Sequence, residues 1–202
     1  MNRKLMLFLI FVLLVLCFFG SYFYVMKQIN STKIEDNIVR PSILTQKEKN
    51  VYDMFGSGNT ALYDFKYVNK KNYEVWLTVE ELKDNKWEQI TGMSCKLDSE
   101  EGKILIDYRF REGGRFSVGN FDKKNNYNIC HGSFYPEYQI NNEINLSISN
   151  IGDLVIKDNE PLVLQLLMNG KESDPSLLDE YNNPEKFSNY KNVVAITVSF
   201  KK

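Results

Sequence analysis

One histidine, two tryptophans, three cysteines and five prolines are spread over 202 residues. Each scarcity removes a class of chemistry. A lone His131 builds no His-rich zinc centre. Its neighbour Cys130 does not complete a thiol–imidazole pair with it, because adjacent residues of an extended strand point to opposite faces. Charge of one sign is lacking too. The formal net charge is −1, and residues 27–202 hold 23 basic against 26 acidic side chains. Without a basic face, neither nucleic acid nor a polybasic lipid contact is expected. No G-x-S-x-G, P-loop or H-E-x-x-H occurs. No catalytic, metal-binding or cofactor-binding residue is therefore assigned, and no cofactor is expected.

What is present begins with Leu5–Met26, a run of 22 residues without one charge. As a helix it would be about 33 Å long, enough for a bilayer core of about 30 Å. Arg3 and Lys4 precede it, which favours the N-terminus inside and the bulk of the chain outside. A cleaved signal peptide would want a small-residue cleavage site, and Phe18, Phe19, Tyr22 and Phe23 crowd Gly20-Ser21. Lipidation at Cys17 would want a small residue before it, where Leu16 stands. The expected organisation is a cytoplasmic tail at 1–4, a transmembrane signal anchor at 5–26, a juxtamembrane stalk with a short helix at 27–59, and an extracytoplasmic domain at 60–202. The location that follows is the cell membrane, single-pass.

Beyond residue 60 the pattern has period two. Tyr73, Val75, Leu77 and Val79 alternate with Glu74, Trp76, Thr78 and Glu80, and Ile104, Ile106 and Tyr108 with Leu105, Asp107 and Arg109. Asp84-Asn85 and Gly113-Gly114 read as hairpin turns. Leu162–Met168 is nearly all apolar, as a strand covered on both faces would be. Asp174-Pro175 and Asn183-Pro184 open short helical turns. Helical crossovers are too few for a parallel sheet. The fold expected is mainly β: an N-terminal transmembrane helix, then an antiparallel β-sandwich of immunoglobulin-like architecture with a short helical insertion. Cys95 and Cys130 are expected to be two buried thiols rather than a bridge, since two cysteines make no disulfide framework.

Five residues are candidates for a ligand or partner contact. Arg109, Arg111 and Arg115 fall within seven residues of a chain that otherwise prefers Lys. Such a group could grip a carboxylate or phosphate bidentately. The competing expectation is ion pairing with Glu74, Glu80, Asp107 or Glu112. Trp76 stands on the polar side of its strand and Trp87 just after a turn, where aromatics stack on sugars or anchor a protein. The alternative is that the insertion around Leu177 covers them. Asp98, Glu100 and Glu101 read as a solvated turn.

The run Tyr63-Asp64-Phe65, Tyr73-Glu74-Val75-Trp76-Leu77, Asn85-Lys86-Trp87 and Gly102-Lys103-Ile104 resembles uncharacterised membrane-anchored extracytoplasmic β-domain proteins of Gram-positive bacteria. The resemblance implies a surface β-domain and assigns no activity. The function expected is a non-catalytic binding domain at the membrane, facing an envelope protein or a cell-wall polymer. Alternatives are an accessory sensor beside a larger membrane protein, or an envelope hydrolase using the acidic loop.

Overall fold

The computed structural model describes residues 34–46, 60–68, 72–109, 113–121, 127–134, 146–170 and 174–201. The proposed anchor, tail and short helix lie outside them, and no described helix is long and apolar enough to cross a membrane. Asp36–Lys202 is one compact unit. Its eleven described strands are β1 (Ile38–Pro41), β2 (Thr60–Lys66), β3 (Tyr73–Lys83), β4 (Lys86–Leu97), β5 (Glu101–Arg109), β6 (Gly113–Phe121), β7 (Tyr127–Phe134), β8 (Leu146–Ser149), β9 (Leu154–Val155), β10 (Leu162–Asn169) and β11 (Lys191–Lys201). The unit starts earlier than the sequence pattern suggests. Part of the expected stalk is β1, which pairs with β2 and β9.

The strands form a β-sandwich of two antiparallel sheets. One sheet has the order β7-β6-β5-β2-β1-β9 and the other β4-β3-β11-β10-β8. An immunoglobulin domain sets strands ABED against CFG; here the likeness ends at two packed antiparallel sheets. The organising unit is a long two-stranded ribbon. Its closed end is the β3–β4 hairpin, turned at Asp84 and Asn85 with φ of 48° and 57°. Its open end is β2 paired with β5 in the other sheet. Between them the ladder continues: the Tyr67 amide donates to the Glu100 carbonyl at 2.7 Å. The ribbon thus folds over itself and supplies two strands to each sheet.

Alternation decides what lies inside. Tyr73, Val75, Leu77 and Val79 of β3 are buried and pack with Phe65, Ile104, Ile106, Val118, Ile196, Val198 and Phe200. Aromatic rings fill the bend of the ribbon. Tyr67 lies edge-on to Tyr73 at 4.9 Å, and Phe65 edge-on to Phe200 at 5.4 Å. Each buried tyrosine hydroxyl donates a hydrogen bond: Tyr63 to the Leu164 carbonyl, Tyr67 to Asp158 Oδ1 and Tyr73 to the Ser99 carbonyl, at 2.6–2.7 Å. Opposite Phe65 only glycine fits. A Cβ on Gly102 would stand 2.4 Å from the Phe65 ring and 2.6 Å from the Gly119 carbonyl.

Two expectations change here. Cys95 and Cys130 are bridged, not free, with Cα atoms 5.6 Å apart. Cys95 is on β4 and Cys130 on β7, so the bridge sews the sheets together along one margin. The register of two different sheets brings them together, and spacing in sequence does not report it. Gly113 and Gly114 are not the turn. They open β6, opposite Arg109 and Tyr108. Glycine tolerates a turn but does not compel one.

A second apolar layer lies outside the β10/β11 sheet. Asp174 caps the first of two 3-10 turns, Pro175–Leu178, accepting from the Ser176 amide at 2.9 Å. The Ser176 hydroxyl, and after it that backbone bond, hold the Asp174 carboxyl below its ordinary range. The second turn is Pro184–Phe187. Leu177 and Phe187 pack on Ile148, Val163, Leu166, Met168, Val193 and Ala195. Strands β10 and β11 are thereby covered on both faces, which is why Leu162–Met168, Gln165 apart, is apolar without alternation.

Candidate functional site

The two tryptophans share one sheet and have different surroundings. Trp87 packs with the second apolar layer. Its ring stacks on Tyr181 at 5.0 Å and meets Phe187 edge-on at 5.6 Å. Its Nε1 donates to the Tyr181 carbonyl at 2.8 Å. Trp87 holds the insertion down.

Trp76 is half-buried and belongs to neither apolar cluster of the described residues. Register sets it between Ser94 of β4 and Ser199 of β11. Its Nε1 donates to Glu74 Oε2 at 2.9 Å, and Lys201 Nζ lies 4.2 Å from the ring centroid. Glu74 is directly opposite both Lys201 and Lys96. These contacts fix the ring's orientation on the outer face of the sheet. Glu80, on the same face of β3, accepts from the Tyr181 hydroxyl at 2.5 Å and from Thr197 Oγ1 at 3.5 Å. Burial, then the bond to Glu80, drives the Tyr181 phenol well above its ordinary range. Glu80 marks the seam. On one side the insertion covers the sheet. On the other lie Glu74, Trp76, Thr78, Ser94, Lys96 and Lys201, all exposed or half-exposed. That aromatic and hydroxyl surface can stack on and hydrogen-bond a neutral polar polymer or a protein.

Arg109 and Arg115 belong to strands of the other sheet. Arg115 of β6 is paired directly with Asp107 of β5, and Arg109 with Gly113. Arg111 and Glu112 lie outside the described residues. Glu74 and Glu80 are in the opposite sheet, so they are not cross-strand partners of the arginines. Strands β5 and β6, which carry Arg109 and Arg115, are thus in a different sheet from β3 and β4, which carry Trp76 and Trp87.

His131 is exposed on β7, facing away from the bridged Cys130, and its Nδ1 lies 2.8 Å from Ser117 Oγ of β6. Sequence reasoning missed this pair, and only the β6–β7 register reveals it. Asp98, Glu100 and Glu101 sit at the bend of the ribbon. There Lys66 approaches Glu101 at 3.9 Å and Asp36 at 2.7 Å. The bond to Asp36 is the main reason the Lys66 pKa is raised. Among the described residues no three His, Cys, Asp or Glu side chains gather to hold a metal. Compared with known proteins, the chain matches no family model, no curated protein and no solved structure.

Proposed function

We propose that this chain is a single-pass, membrane-anchored, extracytoplasmic binding module, held at the bilayer by Leu5–Met26 and catalysing nothing. One observation carries the binding role. Trp76 is oriented by Glu74 and Lys201 on the stretch of sheet that the insertion leaves open. A tryptophan not committed to a core, ringed by hydroxyls and paired charges, suits an envelope glycan or a protein partner. The bridge between Cys95 and Cys130 supports the compartment, since disulfides persist in oxidising surroundings. The uncharged run and its basic N-terminal flank support the topology.

The test uses the full chain in detergent with Trp87→Phe, so that indole fluorescence reports Trp76. Purified cell-wall polymer is titrated in. A spectral shift with retention on the polymer, both lost in Trp76→Ala, supports a wall-binding module. A photo-cross-linker at position 76 in membranes then asks for a protein. A single cross-linked species that disappears when Glu74 and Lys201 are changed to Ala supports an interaction module. No response in either arm refutes the binding role of this face.

A further inference from the structure

Ile43, Ile129, Ile151 and Val155 are the exposed large hydrophobic residues among those described. Their placement is uneven. Val155 lies in β9, the edge strand of its sheet. Ile151 comes just before β9, and Ile43 just after β1, the strand on which β9 pairs. Ile151 is 87% exposed and Val155 60%. An edge strand offers unpaired backbone groups, and folded proteins normally blunt such an edge with charge rather than dress it with β-branched apolar side chains. Of the flanking charges, Asp36 is held by Lys66 at 2.7 Å and Lys157 by Glu160 at 3.2 Å, and Asp153 is exposed between Ile151 and Val155. The same margin is where the compact unit begins. Only nine residues, ten Cα steps, separate Met26 from Asp36, a reach of about 36 Å when fully extended.

We propose that the β1/β9 margin rests on the lipid surface, with Ile151 and Val155 set among the headgroups of the bilayer. The inference rests on reading Leu5–Met26 as the membrane anchor. Two aliphatic side chains bind a membrane weakly on their own. A short tether makes the contact intramolecular, and a weak contact then persists. The consequence for the sandwich is a preferred orientation. Strand β7, at the far end of the six-stranded sheet, is five strand spacings from β9, about 24 Å.

The experiment uses the full chain with Cys17→Ser and the Cys95–Cys130 bridge kept. A fluorophore is attached to one new cysteine, in Gly152→Cys, Ile129→Cys or Phe18→Cys. A Cβ on Gly152 meets only Asn150, at 3.7 Å, so that position accepts a side chain. The protein is reconstituted in vesicles of phosphatidylcholine and phosphatidylglycerol carrying a spin label on the headgroup or the acyl chain. Position 152 is expected to be quenched by headgroup label several-fold more than position 129. Position 18 is expected to be quenched by acyl-chain label. Ile151→Asp with Val155→Asp should bring position 152 down to the level of 129, while circular dichroism confirms the fold. Quenching at 18 with equal, weak signals at 152 and 129 overturns the inference and spares the anchor. Quenching at 152 without quenching at 18 upholds the lipid contact and removes the anchor. Absence of quenching at both overturns both.

Discussion

Reducing the bridge between Cys95 and Cys130 should loosen the sandwich by an amount that can be worked out in advance. The bridge spans a sequence separation of 35. Loop-closure entropy for such a span is roughly 13 cal/mol/K, or about 4 kcal/mol at 25 °C. For a unit the size of Asp36–Lys202, unfolding entropy near the midpoint is roughly 0.35 kcal/mol per degree. The bridge is therefore expected to raise the Tm by about 11 °C. The assay is far-UV circular dichroism of the full chain in detergent, melted with and without reductant. Blocking the thiols is avoided, because Cys95 is buried in the core and an adduct would add a steric cost of its own. A parallel measurement counts alkylatable thiols in the denatured, unreduced protein by mass spectrometry. One is expected, from Cys17, among three cysteines. Three free thiols would refute the bridge. One free thiol with melts agreeing within about 2 °C would refute the entropic argument.

The tryptophans should separate cleanly: Trp87→Ala is expected to cost about 3 kcal/mol in a urea titration by emptying the layer under the insertion, while Trp76→Ala stays within about 1 kcal/mol and abolishes ligand retention. Tyr181→Phe should cost about 1.5 kcal/mol at neutral pH through the lost bond to Glu80. The Tyr181 phenol is raised in the folded state, so its contribution is complete below the ordinary tyrosine value of about 10 and is lost as pH climbs above it. Melts between about pH 9 and 11 should accordingly fall less steeply in Tyr181→Phe than in the parent protein. Gln165 is fully buried, donates to Ser147 and Ser149, and leaves its Oε1 without a partner among the described residues; Gln165→Met should raise stability by about 1 kcal/mol in the same titration, and a loss of that size would show that the oxygen is satisfied.

Local structure was legible wherever one residue type alone could satisfy the geometry. The alternation in β3 and β5 wrote their buried faces directly, and the Asp174-Pro175 and Asn183-Pro184 signals marked both 3-10 turns. Among the described residues, left-handed backbone positions outside glycine fall on Asn37, Asn72, Asp84, Asn85, Asn159 and Asn192, so asparagine carries much of the turn chemistry there. That explains why reading Gly113-Gly114 as a turn failed while Asp84-Asn85 succeeded. Long-range features were hidden. Nothing local says that the ribbon folds from one sheet into the other, that Cys95 meets Cys130, or that Ser117 meets His131. Nor could pattern distinguish Trp87 from Trp76. Only the path of the insertion decides which one it covers.

Strand β11 lies between β3 and β10, yet it is the last of the described strands in sequence. A chain made from its N-terminus completes β3 and β4 long before residues 191–201 emerge. Until then the inner edge of β3 stands open, with its apolar face ready to pair with a stranger. The sheet closes from its middle, and last. The interval before β11 arrives leaves an unpaired strand edge open, the kind of edge that invites aggregation. Loss of a few residues from that strand would remove the centre of a sheet, whereas the same loss from β8 or β9 would only trim an edge.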